Sequence, residues 1–485
     1  MSDFLVIQVG QCGNQIGSQF WNIALQEYGS QQFFESHAPS SHNSSRLFGD
    51  NSHFDKQVRD ENSNSFFWNL EDSRGNQAVS SLQRRKLKAK AILVDMEDGV
   101  ISRLKKSRIG SIFDDELKIT HYPGSGNNWA VGHTVHGNTF REAIISVIRK
   151  AVEKCDGLQG FFLLCSLGGG TGSGLGTYIL KILEDYFPNV ERFVGCVYPD
   201  DNDDVITSPY NVLLSSKVLT DHATCIFPFD NKALIGICDK IRTCCGKNPD
   251  ASKVLMPSGM LSRSKPFQDM NSLIVKMLLD LTSSSRYSGS LNLDINEIYS
   301  NMVPFPRMQY ISSGLSPLFN LGYKSSSSCW RDELFSSSWA MDNQLCRYMN
   351  PLHSTLLAVS LIGRGPIPLA DMRRQVERLQ GKAKFAPWAM ESVKSGLCSM
   401  PAPGPSPISI LGLFNSTGIV HLLSDVLVKF SRLYSRKAHL HHYLAEGMEV
   451  CEIEDCVLTM QDVIHQYKGV NSLTPVETMS KLTAH

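Results

Sequence analysis

Phe161-Phe162-Leu163-Leu164-Cys165-Ser166-Leu167-Gly168-Gly169-Gly170-Thr171-Gly172-Ser173-Gly174 is the stretch whose reading decides the fold. Its apolar first half, Phe161 to Leu167, has the composition of a buried strand, and Leu175–Phe187 behind it has the pattern of a helix. Between them stand five glycines in seven residues. Glycines allow a backbone path that aims successive N–H groups inward, and they let an anion approach with no Cβ in the way. The following helix adds the partial positive charge of its N-terminus. Thr171 and Ser173 add hydroxyl donors. The plain alternative is a tightly packed turn. Two common phosphate loops do not fit. A G-x-G-x-x-G loop counted from Gly168 meets Ser173 at its sixth position, and a Gly-Lys-Ser/Thr loop fails because Leu175 follows Gly174.

The same grammar repeats on either side. Phe4–Val9 ends at Gly10 and leads into Gln11–Tyr28, with Ile16, Phe20 and Ile23 at helical spacing. Ala91–Val94 ends at Asp95-Met96-Glu97-Asp98-Gly99, and Val194–Tyr198 ends at Pro199-Asp200. Strands alternating with helices predict an α/β protein with a parallel sheet, whose ligands sit at the carboxyl ends of the strands. Residues 30–80 are rich in Ser, Asn and Gln and read as a long polar insertion, with Phe66-Phe67-Trp68 as a possible anchoring point. A long helix from Pro266 to Ser284, strands at Leu356–Ile362 and Ser409–Leu413, and helices over Val420–Tyr434 and Glu452–Gln466 complete the reading.

Lys plus Arg and Asp plus Glu are both 47 in this 485-residue chain, so the formal net charge is zero. That balance excludes a protein that holds nucleic acid or anionic membrane by bulk charge. No apolar run reaches the roughly 18 residues of a membrane span. Ile408–Leu423 is broken by Asn415, Ser416 and Thr417. The opening Met1-Ser2-Asp3 has no basic stretch, unlike a secretory signal. Thirteen scattered cysteines without a C-x-x-C pair predict reduced thiols in the cytosol, not disulfides or a zinc site. At about 150 residues per domain, three domains are expected.

The glycine loop G-G-G-T-G-S-G resembles the signature of the tubulin family and its bacterial relative FtsZ. Further stretches resemble the family in order: Gln8–Gly17, Asp95-Met96-Glu97, Gly124–Ala130, Asp204 through Asn211, Asn292–Glu297 with Val303–Arg307, and Arg436–Tyr443. Val205–Asn211, Lys437–Leu444, the enlarged segment after the first helix and the absence of an acidic tail are similar to the epsilon branch. The resemblance implies a Rossmann-like parallel-sheet GTP-binding domain over 1–230 with the polar insertion, a core helix and α+β intermediate domain over 231–415, and a C-terminal helical region over 416–485.

By the same resemblance the cofactors are GTP or GDP with Mg²⁺. Gln11, Cys12 and Gln15 would contact the nucleotide from the first helix. Glu97 would act on the metal. Ser125, Gly126 and Asn127 would close over the γ-phosphate end. Ser166, Gly168, Gly169, Gly170, Thr171 and Gly172 would hold the α- and β-phosphates, and Asp204 would accept from the ribose. Asn231 and Asn271 suit the edge of guanine, and Phe267 would stack on the base. Asp294 and Glu297, three apart and so on one face of a helix, would act on the nucleotide of an adjacent subunit. Alone, either acid reads equally well as favoured at a helix N-terminus.

The implied function is that of a cytoskeletal GTP-binding protein of centrioles and basal bodies, working in their duplication and in triplet microtubules. Its partners would be other tubulins, α, β and delta among them, and centriolar proteins, with no nucleic acid and no membrane. Gly124, Ser208 and the lateral loop Lys324–Cys329 depart from the sequences usual in the family. The alternatives are a monomeric nucleotide-binding enzyme and a nucleotide-bound cap that does not hydrolyse. His439, His441 and His442 read as surface histidines, not metal ligands.

Overall fold

The computed structural model describes residues 3–36, 65–70, 86–201, 203–247, 266–287, 289–318, 328–403 and 406–470. Most of the polar insertion, most of the lateral loop and the polar C-terminal end lie outside these residues. The first sheet is built from β1 (Asp3–Val9), β4 (Ala91–Asp95), β5 (Lys118–Thr120), β6 (Leu158–Ser166), β7 (Glu191–Tyr198) and β8 (Cys225–Asp230). All its pairings are parallel, in the order β5-β4-β1-β6-β7-β8.

Central β1 is buried along its whole length. Helices cover both faces of such a sheet, so its strands lose the polar alternation of a half-exposed strand and read as continuous apolar runs. This is why the first strands are plain in the sequence. The outer β5 and β8 are not. The former has three residues, and the latter carries Pro228, which only an edge strand accommodates readily.

The first helix runs over Gly10–Ser36, longer than the expected Gln11–Tyr28. Phe66-Phe67-Trp68 is an anchor. β2 (Phe67–Leu70) pairs antiparallel with β3 (Lys86–Ala89), and Phe66 stacks on Phe4 at 5.6 Å between ring centroids. One apolar layer packs the sheet against the helices Gly137–Glu153, Gly176–Tyr186 and Ser208–His222 and against the C-terminal helices Ile419–Tyr434 and Val450–Gly469. The other packs it against Gly10–Ser36 and Pro266–Leu281.

Beyond that helix lies a mixed sheet of β9 (Ser312–Ser316), β10 (Thr355–Arg364), β11 (Lys384–Phe385), β12 (Lys394–Cys398) and β13 (Ser409–Ser416). Its path is β11-β10-β13-β9, with β12 also on β10. β13 runs antiparallel to both neighbours. Among the described residues no helix is long and apolar enough to cross a membrane.

A buried ionic cluster ties the two sheets together. Glu27 of the first helix pairs with Arg286 and, at 2.6 Å, with Arg364 of β10. Asp280 stands 3.7 Å from Arg364 and accepts a hydrogen bond from Ser409 at 3.0 Å. Both guanidiniums lie over the Tyr287 ring, at 5.0 and 5.5 Å. Burial opposes ionisation of Glu27, but the charges and hydrogen bonds of Arg286 and Arg364 outweigh it and hold the carboxyl below its ordinary value of about 4.5.

Removing one member of a buried pair strands the other's charge, at about 3–5 kcal/mol. Glu27→Gln is therefore expected to cost that order of stability in urea unfolding at pH 7. With a depressed folded pKa, the stabilisation is complete above the unfolded value and is lost as pH falls through the folded one. The gap between wild type and variant should begin to narrow below about pH 4.5 and close only below the depressed folded value.

Candidate functional site

Six parallel strands end on one edge, and from β1 the chain moves first to β4 and β5 on one side and then to β6, β7 and β8 on the other. Such a switch point leaves a crevice outside the strand ends. Here it is a cavity of about 1060 Å³. Small-molecule and cofactor sites run to about 1,000 Å³, so this one has room for a large ligand.

Every strand end of the sheet supplies wall. Gln11, Cys12 and Gln15 come from the helix after β1, and Asp95 and Glu97 from the end of β4. Ser125, Gly126 and Asn127 follow β5; Ser166 ends β6, and Gly168 through Gly172 follow it. Pro199, Asp203 and Val205 follow β7, and Asn231 follows β8. Phe267 and Asn271 close one side from the helix Pro266–Leu281. Phe267 is 64% exposed, with its ring open to stacking, whereas Asn271 is buried.

The glycine loop is held by approaches that leave no room for a side chain. Gly10 has φ +72°, and a Cβ there would stand 3.1 Å from the Gly172 nitrogen. A Cβ on Gly170 would stand 2.7 Å from the Asn128 nitrogen and 2.8 Å from the Ser125 Cβ. Ser125 and Thr171 share a hydroxyl hydrogen bond of 2.9 Å. The loop enters the helix Gly176–Tyr186 through one wider turn, Thr171–Leu175, so its backbone N–H groups sit at a helix start.

Asn211 holds three of these parts at once. Its Nδ2 donates to Asn127 O at 2.9 Å and Gly168 O at 2.8 Å. Its Oδ1 accepts from Trp129 N at 3.0 Å and from the Tyr443 hydroxyl at 2.7 Å. Behind the loop His133 stacks on Trp129 at 4.2 Å. Burial lowers the His133 pKa to about 4, so this wall is neutral at pH 7.

The acids lie at the end of β4. Asp95 is buried, and its Oδ2 has no hydrogen-bond partner among the described residues. Burial first, and then the Glu97 charge, push its carboxyl up to about 6. Gly124 faces Glu97: a Cβ on it would stand 2.6 Å from Glu97 Oε1. Mg²⁺ takes one or two carboxylates and completes its shell with phosphate oxygens and water, so an orphaned acid beside Glu97 on the wall of the glycine-loop cavity fits that ion. Burial pushes the Cys12 thiol up to about 12, so it stands on the wall as a protonated thiol at pH 7.

One residue expected at the cavity stands elsewhere. Asp204 does not line the cavity; Asp203 does, after a turn in which Asp203 N donates to Asp200 O at 3.3 Å. Burial raises the Asp203 carboxyl pKa, and the Asp204 and Asp200 charges add to the rise. Asp294 and Glu297, expected to act on the nucleotide of an adjacent subunit, lie off the chain's own cavity. Asp294 is the N-cap of the helix Ile295–Met302, accepting from Ile295 N at 2.7 Å, and so stands just outside the helix on which it was placed. Glu297 is exposed, 3.6 Å from Lys394 Nζ. The histidines 441 and 442 are exposed, and no cluster of three metal-ligating side chains occurs among the described residues.

Asp95 and Asn211 have site roles that the sequence reading did not give them, although both fall inside quoted motifs. An acid ending a buried strand was the available signal for Asp95. Nothing local marks Asn211, whose partners lie 43, 82, 84 and 232 residues away.

Residues 3–239 match the family model described as Tubulin/FtsZ family, GTPase domain, and residues 306–427 match the Tubulin C-terminal domain. Over its full length the chain is 41% identical to the tubulin epsilon chain of Mus musculus, of which the match covers 99%. The tubulin epsilon chain of Homo sapiens gives the same figures. Over 98% of its length the chain is 31% identical to the tubulin beta-6 chain of Gossypium hirsutum, of which 96% is covered.

Two outcomes are expected from these contacts. Asn211→Leu should orphan Gly168 O and Trp129 N, at about 1–3 kcal/mol for each buried group, while Asn127 O keeps the Thr207 hydroxyl as donor. It should lower the melting temperature and weaken any ligand of the glycine loop, read by calorimetry. Asp95→Asn should raise the melting temperature of ligand-free protein at pH 7. A carboxyl with raised pKa is held protonated by the fold, and stability falls as pH rises from the unfolded value through about 6. The same variant should abolish any Mg²⁺-dependent gain in ligand affinity, a gain that in wild type fades below about pH 6.

Proposed function

The chain belongs to the tubulin family, and from that premise we propose that its cavity holds a guanine nucleotide that controls assembly with other tubulins. The observation that carries this reading is the convergence of six strand-end loops, the glycine loop central among them, on one large cavity. Gly168 to Gly172, with Ser166 and Thr171, hold the phosphates through backbone N–H groups and hydroxyls. Ser125, Gly126 and Asn127 cover the outer phosphate. Gln11, Cys12 and Gln15 contact the nucleotide from the first helix. Asn231, Asn271 and the open face of Phe267 take the base. Asp203, on the wall, is placed better than Asp204 for the ribose. Glu97 with Asp95 holds Mg²⁺, which would neutralise phosphate charge.

Asp294 and Glu297 serve a second subunit. They lie off the chain's own cavity, and Glu297 is exposed, so hydrolysis at this site waits for a neighbour's acids. A head-to-tail contact of that kind is heterologous and builds filaments when it does not close. The nucleotide domain spans 1–230, the intermediate domain 231–415 and the helical region 416–485, a division supported by sheet membership. Similarity to tubulin epsilon chains, together with the epsilon-like segments, supports a role in centriole or basal-body duplication and in triplet microtubules, with α-, β- and delta-tubulin and centriolar proteins as partners.

The test is the nucleotide released when freshly purified monomer is denatured, resolved by ion-pair chromatography. Near-stoichiometric GTP is the expected result and fits partner-dependent turnover. GDP from a strictly monomeric preparation would overturn the role of the neighbour's acids. Adenine nucleotide, or none, would overturn the guanine site.

A further inference from the structure

Arg103 is the one cationic side chain among the described residues that line the cavity. The same wall carries the carboxylates of Asp95, Glu97 and Asp203. A nucleotide's phosphate chain is polyanionic, and a wall dominated by carboxylates repels it unless cations are supplied. A divalent ion supplies some of that charge. Arg103 is the only side chain of the described wall that supplies more.

Its placement suits the task. Arg103 belongs to the helix Asp98–Lys105, which directly follows Glu97. Its Nε donates to Gly99 O at 3.0 Å, so the side chain lies back along its own helix toward the strand-end loop. Its terminal nitrogens Nη1 and Nη2 make no hydrogen bond or ion pair among the described residues, and the residue is exposed. The order of the sheet gives the direction. Asn231 stands at the end of β8, the glycine loop at the ends of β6 and β1, and Arg103 beyond the end of β4. With strands about 4.8 Å apart, β8 to β4 spans about 19 Å. A nucleotide with its base at Asn231 and Phe267 and its inner phosphates on the glycine loop therefore extends its last phosphate toward Arg103.

We propose that Arg103 binds the outermost phosphate of a nucleoside triphosphate in cis, through Nη1 and Nη2, and makes the cavity prefer triphosphate to diphosphate. This rests on the guanine-nucleotide reading above and adds to it the residue that counts phosphates. A guanidinium suits the role because its fork of donors matches the oxygens of a phosphate and it stays charged at every working pH. Occupancy of the site by triphosphate would then draw the helix Asp98–Lys105 toward the cavity through its own side chain, and loss of the last phosphate would release it.

The experiment measures dissociation constants of the full-length chain for GTP and GDP, each with and without Mg²⁺, for wild type, Arg103→Ala and Arg103→Lys. Charge-assisted hydrogen bonds predict that Arg103→Ala weakens GTP about tenfold or more and leaves GDP within about twofold. Arg103→Lys should recover part of the loss, since it keeps the charge but not the fork. An unchanged melting temperature in both variants reports that the exposed side chain was removed without unfolding. Equal weakening of GTP and GDP, or no weakening of either, overturns the proposal while leaving the nucleotide site in place. Failure of wild type to bind either nucleotide overturns the site itself, and the role of Arg103 with it.

Discussion

The whole site hangs on a contact in which two loops touch backbone to backbone. Gly10, at the end of central β1, and Gly172, in the loop after β6, come so close that a Cβ on Gly10 would stand 3.1 Å from the Gly172 nitrogen. The two strands are adjacent and parallel, so their carboxyl ends meet side by side, and both chains must turn there into helices. Glycine alone permits both the left-handed turn at Gly10 and the approach. With side chains at these positions the loops would splay, and backbone donors that now face one volume would face several. The third loop is drawn into the same contact, since Gly170 lies against Asn128 and Ser125.

Around this contact the protein joins its parts with buried polar groups, where apolar packing alone would leave their orientation loose. Glu27, Arg286, Arg364 and Asp280 connect the first helix, the helix Pro266–Leu281 and the second sheet. Such a cluster adds little stability relative to an apolar core of equal volume, but a change of register among these parts would leave one of its buried charges unpaired. The first helix begins in the cavity at Gln11 and reaches Glu27 between four and five turns later, at about 3.6 residues per turn. One rigid element therefore has its N-terminus at the cavity and its middle in the cluster.

The C-terminal helices are joined to the cavity in the same way. Asn211 links two cavity loops to Tyr443, and the Tyr210 hydroxyl donates to Ala438 O at 2.9 Å. Asp201, in the loop after β7, pairs with Lys232 at 2.8 Å, Arg347 at 3.2 Å and Lys429 at 2.5 Å. Those partners come from the helix after β8, the segment before β10 and the helix Ile419–Tyr434. The Lys232 and Lys429 hydrogen bonds hold the Asp201 carboxyl well below the ordinary range. The loop that supplies Asp203 to the cavity wall is thus anchored on the far side by three cations.

The amino-acid sequence by itself determined the elements whose signals are local. Continuous apolar runs marked β1, β4, β6 and β7, because strands covered on both faces need no polar alternation. Five glycines after Leu167 marked the cradle, and at Gly170, Gly172 and Gly174 a Cβ would stand within 2.8 Å of neighbouring backbone atoms. It did not reveal β5 and β8, one too short and one interrupted by a proline that an edge strand accepts. Tertiary structure alone decided which side chains share a volume. It put Asp203 and not Asp204 on the wall, since a single turn sets which acid faces inward. It made Asp294 a helix cap, and it oriented Arg103 over its own helix toward the cavity. It also gathered Asn211, Asn127, Gly168 and Tyr443, residues far apart in the chain, because hydrogen-bond partners are chosen by the packing of strand ends and not by spacing along the sequence.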